Sequence, residues 1–153
     1  NMNVNIYIKT TAKAPVNKNV GFGYVLEVIT SKGPATYSYI GTLEEATKNE
    51  AEGIVLLEAL KHLREPYTVT LYTDADYTAA VFTNYLPRWF ENGFKNQRGE
   101  PVSDTWKQLA IFLSKKLTSV EHKKAHSYSG WLEREIEKKK AENAEKIKGG
   151  QKA

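Results

Sequence analysis

The chain has 153 residues, 41% of them hydrophobic and 26% charged, with a formal net charge of +4 and a sequence pI of about 9.1, values that suit one globular domain around one core. It contains no cysteine, which excludes disulfides, thiolate zinc sites and cysteine nucleophiles. No apolar run approaches the roughly 20 residues that span a bilayer and the N-terminus lacks a signal-peptide layout, so a cytoplasmic protein is expected by default, its basic balance compatible with a polyanionic partner.

Asn1 ahead of Met2 reads as an expression-tag remnant. The expected organisation is therefore a single domain over residues 2–148 and a flexible tail over 149–153. The first predicted strand, residues 3–9, alternates Val4, Ile6 and Ile8 with Asn5, Tyr7 and Lys9. Residues 10–19, polar and containing Pro15, read as a loop. Residues 21–29 read as a second strand whose glycines suggest a bulge or a close backbone approach. A turn at Ser31-Lys32-Gly33-Pro34 leads to a third strand over residues 35–40, giving an antiparallel meander.

A helix follows, with Thr42 as a candidate cap and Glu44 and Glu45 near its positive end. From Glu50 the spacing of Ile54, Leu57 and Leu60 is helical until Pro66 breaks it. Residues 68–73 form a compact β-branched strand, expected to be central and parallel to the first. Helical segments over residues 77–83, 86–91 and 102–116 enclose a glycine-containing loop at 92–101. A fifth strand covers 117–122, and Ser129 or Gly130 opens a charged last helix that Gly149-Gly150 ends. The order βββαβαβα implies an α/β fold with a mixed five-stranded sheet flanked by helices.

Three stretches carry a resemblance to type I ribonuclease H that extends over about residues 3–140. Thr47-Lys48-Asn49-Glu50-Ala51-Glu52 is similar to that family's Thr-x-Asn-x-Ala-Glu helix entrance, and Leu71-Tyr72-Thr73-Asp74-Ala75-Asp76-Tyr77 to its strand-ending Thr-Asp-Ser-x-Tyr. Trp89-Phe90-Glu91-Asn92-Gly93-Phe94-Lys95, continuing to Trp106 and Lys107, resembles its substrate-handling segment. The resemblance implies a ribonuclease H-like fold and puts Glu52 and Asp74 at two of four acidic positions, His126 at a mobile histidine, and a first acid at the end of the first strand. Lys9 stands at that first place, and no acidic residue precedes Glu27, so no shift of register supplies one.

Cleavage of a phosphodiester with metal assistance uses two divalent ions held by oxygen ligands. An ammonium in place of a carboxylate opposes such ions, and Lys9 is expected instead to pair with Glu52 and Asp74 as a built-in substitute for the metal. Counting from His126 places Ile136 at the fourth acidic position, while Glu135 or Glu137, with Glu133 also near, are candidates to replace it after a small shift, since each helical residue turns the side chain by about 100°. No cofactor is expected unless the protein cleaves, in which case Mg²⁺ or Mn²⁺ would be held by Glu52 and Asp74.

The resemblance offers Thr47, Asn49, Arg88, Trp89, Lys95 and Trp106 as nucleic-acid contacts. Thr47 also reads as ordinary helix chemistry, Asp74 as a helix cap, and the tryptophans as core residues. Arg88, Lys95 and Arg98 are offset by Glu91 and Glu100, so a modest, salt-sensitive grip is expected. The leading expectation is a ribonuclease H-like protein that binds RNA–DNA hybrid or another duplex through an incomplete nuclease centre, inactive or very weak. The alternatives are an active metal-dependent hybrid ribonuclease with a relocated glutamate and a protein-interaction module on the same scaffold.

Overall fold

The structure, a computed structural model, describes residues 2–13 and 15–152. Five strands, β1 (Met2–Thr10), β2 (Asn17–Thr30), β3 (Gly33–Ala46), β4 (Tyr67–Thr73) and β5 (Leu117–His122), form one sheet in the order β3-β2-β1-β4-β5. The β1–β2 and β2–β3 pairs are antiparallel, and β1–β4 and β4–β5 are parallel, which makes the mixed sheet expected from the sequence. The period of two in β1 sends Val4, Ile6 and Ile8 into the main core with Tyr24, Leu26, Val69 and Leu71. Tyr7 and Val25 face the other side, where Leu132 and Ile136 cover them.

The main core is closed by α1 (Lys48–Leu60) and α4 (Asp104–Leu113). Thr47 caps α1, its hydroxyl accepting from the Glu50 N–H at 3.2 Å. Gly53 lets the two helices approach, since a Cβ there would lie 2.9 Å from Trp106 Nε1. The Trp106 indole N–H donates to Asn49 O at 2.9 Å. Between β4 and α4 run α2 (Asp76–Ala80), a π-helical turn (Val81–Tyr85) and α3 (Leu86–Asn92), which Gly93 ends in a left-handed conformation, φ 74°. The last helix, α5 (Ser129–Lys152), lies on the opposite sheet face, close to β2 because Gly21 has no side chain: a Cβ there would meet Ile136 Cγ2 at 2.5 Å.

Three local expectations are corrected. Thr42, Glu44 and Glu45 belong to β3, where residues 42–46 pair with the start of β2 and Glu45 faces Lys18 across the ladder. The long hairpin thus overrides the capping signature, and β2 begins within the segment read as a loop. Gly149-Gly150 does not end α5, which continues to Lys152. Residue 153 of the expected tail lies outside the described residues.

Candidate functional site

Parallel β1 and β4 lie side by side at the centre of the sheet, so their carboxyl ends open onto the same edge, where α/β sheets place their ligands. Lys9 is the penultimate residue of β1 and Asp74 directly follows β4. The Lys9 ammonium lies 2.5 Å from Asp74 Oδ2 and 3.9 Å from Glu133 Oε1. Asp74 makes no cap: α2 starts after Ala75 without a side-chain cap bond.

Glu52 is fully buried at the first turns of α1. Its Oε1 accepts from the hydroxyls of Thr73 at 2.7 Å and Thr78 at 3.0 Å, while Oε2 has no partner. Burial holds this carboxyl above the usual carboxylate range, with the Asp74 charge adding to it and the two hydroxyls and Lys48 opposing. Thr73 has a second task, its oxygen accepting from the Ala75 N–H at 3.0 Å to fix the entry into α2. The expected Lys9 pairing is therefore corrected in part: Lys9 engages Asp74 and Glu133, and threonine hydroxyls serve Glu52.

Helix phase decides which acid of α5 stands at the cleft. Leu132 and Ile136 are buried against Tyr7 and Val25, which brings Glu133 and Glu137 to the cleft wall. Glu135, two steps of about 100° from Glu133, pairs instead with Lys138 at 3.3 Å. The structure thus brings Lys9, Asp74, Glu133 and Glu137 together and leaves Glu135 out. Ile136 lies beneath the cleft as part of the core, 1% exposed.

His126, between β5 and α5, packs over Tyr7 with ring centroids 4.7 Å apart. Its Nδ1 accepts the Tyr128 N–H at 3.1 Å, so the neutral ring carries its proton on Nε2. Burial holds its pKa below the ordinary histidine range, Lys9 acting in the same direction and Asp74 against it. A neutral Nε2–H at this place is a hydrogen-bond donor.

The loop of His126 is anchored by Glu27, a residue that sequence reasoning passed over. Buried on β2, Glu27 accepts from Asn5 Nδ2 at 2.9 Å, from the Tyr7 hydroxyl at 3.3 Å and from the Tyr128 hydroxyl. Burial raises its pKa, but the three hydrogen bonds outweigh burial and hold it below the usual range. The Tyr128 hydroxyl is pushed up to about 12 by the same contact. An acid in a buried strand, opposite Asn5 in register, was the available signal.

The acidic oxygens of the cleft are engaged in part, with Glu52 Oε2 left without a partner. Asp74 Oδ2 already holds an ammonium, and the only bonded oxygen of Glu52 is taken by two hydroxyls. Among the described residues no group of three or more histidine, aspartate and glutamate side chains is disposed to hold a metal.

A second cavity, of about 490 Å³, lies beyond the first turn of α1. Asn49, Arg88, Trp89 and Lys95 line it together, four of the six residues expected to contact nucleic acid, and Tyr77, Tyr85 and Arg98 complete the wall. Arg88 sits over the Tyr85 ring at 5.3 Å, and the Asn92 side chain braces the backbone of Lys95. Trp106 is corrected to a core residue, 2% exposed and bonded to Asn49 O, which removes it from any groove. Thr47 has its hydroxyl engaged as the cap of α1.

The sequence model of the RNase H family matches residues 3–144. A ribonuclease H of Lachnoclostridium phytofermentans is 33% identical over 112 residues, 71% of this chain and 71% of that one. One from Caldicellulosiruptor saccharolyticus is 37% identical over 90 residues, 57% of this chain and 62% of its own length. Among solved structures, a foamy viral protease-reverse transcriptase in complex with RNA/DNA hybrid superposes with a TM-score of 0.65 at 20% identity, over 91% of this chain and 20% of that chain. LC11-RNase H1, isolated from compost, gives a TM-score of 0.61 at 15% identity over 93% of this chain and 98% of its own. At these identities the structural likenesses concern the fold.

Proposed function

The chain belongs to the ribonuclease H family, and from that premise we propose that it binds RNA–DNA hybrid or another duplex through a cleavage centre closed by its own lysine, so that it cleaves very weakly or not at all. The observation that carries the proposal is the Lys9 ammonium 2.5 Å from Asp74 Oδ2, at the place where the family pattern has a carboxylate. Binding is supported by Asn49, Arg88 and Lys95 gathered on one cavity. It is also supported by the solved relative whose complex holds an RNA/DNA hybrid.

The test is a purified chain incubated with end-labelled hybrid in Mg²⁺ and in Mn²⁺. Retarded but uncut hybrid at low salt is the expected result. Cleavage that Asp74→Asn abolishes would overturn the proposal. Lys9→Asp is the informative variant: gain of cleavage shows that the rest of the machinery is in place. The opposing reading, an active enzyme with a relocated glutamate, has one observation in its favour, the position of Glu133 beside Lys9. It predicts that the unmodified chain cuts hybrid and that Glu133→Gln stops it.

A further inference from the structure

We propose that the cleft beside Lys9 is an anion site that takes one phosphate group of a bound strand directly on lysine and threonine donors, with no divalent ion between. The inference rests on the nucleic-acid reading above and names how that same cleft meets its ligand. The cleft, about 520 Å³, is walled by Lys9, Lys13, Lys48 and Lys140 against Asp74, Glu133 and Glu137. Four ammonium groups against three carboxylates leave one net positive charge. Lys9 is held by Asp74 and Glu133, whereas Lys13, Lys48 and Lys140 have no carboxylate within 4.0 Å among the described residues.

These three lysines reach the cleft from three separate elements. Lys13 comes from the loop after β1, Lys48 from the first position of α1, and Lys140 from the middle of α5. The stem of Lys140 lies flat on Gly21, where a Cβ would be 2.7 Å from its Cγ, so the sheet holds it against the cleft wall. Lys48 stands at the positive end of a 13-residue helix, which favours an anion there.

Hydroxyls supply a second kind of donor. Thr11 Oγ1 accepts from the Gly21 N–H at 2.9 Å and Thr10 Oγ1 from the Ala12 N–H at 3.3 Å. Each oxygen is engaged as an acceptor, which leaves its own O–H hydrogen to donate. Thr10 is more than nine-tenths buried and lines the cleft.

Charge neutralisation explains why no ion is required. A phosphate is repelled by bare carboxylates, and a divalent ion normally removes that repulsion. Here the Lys9 ammonium does so from within the chain, at contact distance from Asp74. A divalent ion added to solution then competes with the lysines for the phosphate.

The test measures binding of a fluorescent RNA–DNA hybrid to the full chain by anisotropy, in EDTA and in Mg²⁺ at matched ionic strength. Affinity in EDTA equal to or tighter than in Mg²⁺ is expected. Lys48→Gln combined with Lys140→Gln should weaken it roughly fivefold to tenfold in EDTA and flatten the log–log salt slope by about 1. Hybrid binding that requires Mg²⁺, or a double variant that binds like the parent, overturns the proposal. Lys13→Gln, on an exposed loop, carries the same test if the double variant does not fold as judged by its thermal transition. Should the parent not bind hybrid at all, the nucleic-acid reading falls and inorganic phosphate decides the cleft by itself. Amide shifts at Thr11, Lys13 and Lys48 on adding phosphate in EDTA, lost in the double variant, sustain the anion site; no localised shift overturns it.

Discussion

Lys9→Asp converts the centre of the cleft from an ion pair into two adjacent carboxylates, and the structure sets the size of the consequence. Unit charges about 4 Å apart interact by about 1 kcal/mol in water and about 4 kcal/mol at an effective dielectric near 20. Losing the attraction and adding a repulsion of the same size therefore costs between about 2 and about 8 kcal/mol. The two side chains are 23% and 24% exposed, so solvent screening draws the value toward the lower end. The expected loss is about 2–3 kcal/mol, which for a domain of this size lowers Tm by roughly 5–10 °C.

Mg²⁺ should reverse that loss in the variant, because two carboxylates now face the ion. At a concentration of about one hundred times Kd the ligand adds about 2.7 kcal/mol. The assay is thermal unfolding of both proteins in EDTA and in Mg²⁺ at constant ionic strength. The variant should melt lower in EDTA and recover in Mg²⁺, while the parent shows no specific response. A parent that gains as much from Mg²⁺ as the variant, or a variant that gains nothing, would refute the claim that Lys9 is what excludes the metal.

Three further outcomes follow from the geometry. Glu27→Ala leaves the hydroxyls of Tyr7 and Tyr128 and the amide of Asn5 without their acceptor, and should cost about 2–3 kcal/mol in urea unfolding at pH 7. Because the folded pKa of Glu27 is depressed, the pH-linked part of its contribution is present above the unfolded value and disappears as pH falls through the folded one, so the gap between parent and variant should narrow in acid. Glu52→Gln acts with the opposite sign: the folded carboxyl is held high, so the parent loses stability as pH rises from about 4.3 through the folded pKa, and the variant should be as stable or more so at pH 8 while matching the parent at pH 4. Gly53→Ala places a methyl against the Trp106 ring at 2.9 Å from Nε1 and should cost about 1–3 kcal/mol, seen as a shifted denaturation midpoint and altered tryptophan emission.

Much of the frame was legible because it follows local periodicity. β5 covers Leu117–His122, the range read from the sequence, and β4 alternates buried and half-buried residues along its whole length. The meeting of Lys9 with Asp74 was legible too, since parallel neighbours bring their strand ends to one edge. What escaped was set by distant partners. Thr42 followed by two glutamates reads as a helix start until the pairing of β2 with β3 is known. The choice of Glu133 over Glu135 depends on which side of α5 sits on Tyr7 and Val25, although the Leu132–Ile136 spacing held that phase in plain view. Trp106 looked like a groove residue because its role is defined by Gly53 and Asn49, more than fifty positions away.

The arrangement of charge makes Lys9 more than the loss of an acid. Removing a carboxylate alone would leave Asp74 unpaired at the mouth of a cleft with Glu133 and Glu137 on its wall. An uncompensated, partly buried charge is costly, and a cation must come from somewhere. With the ammonium on β1 the compensation is part of the fold, always present and independent of metal concentration. Glu52 lies buried beneath, its carboxyl held above the usual carboxylate range by burial. Lys13, Lys48 and Lys140 are then free to set the sign of the potential that an approaching strand meets. On the proposed reading Lys9 both obstructs metal-assisted cleavage and favours direct contact with phosphate, since its ammonium stands where a metal ligand would be and also neutralises Asp74. Lys13, Lys48 and Lys140 bear only on the contact with phosphate and so separate the two effects by mutation.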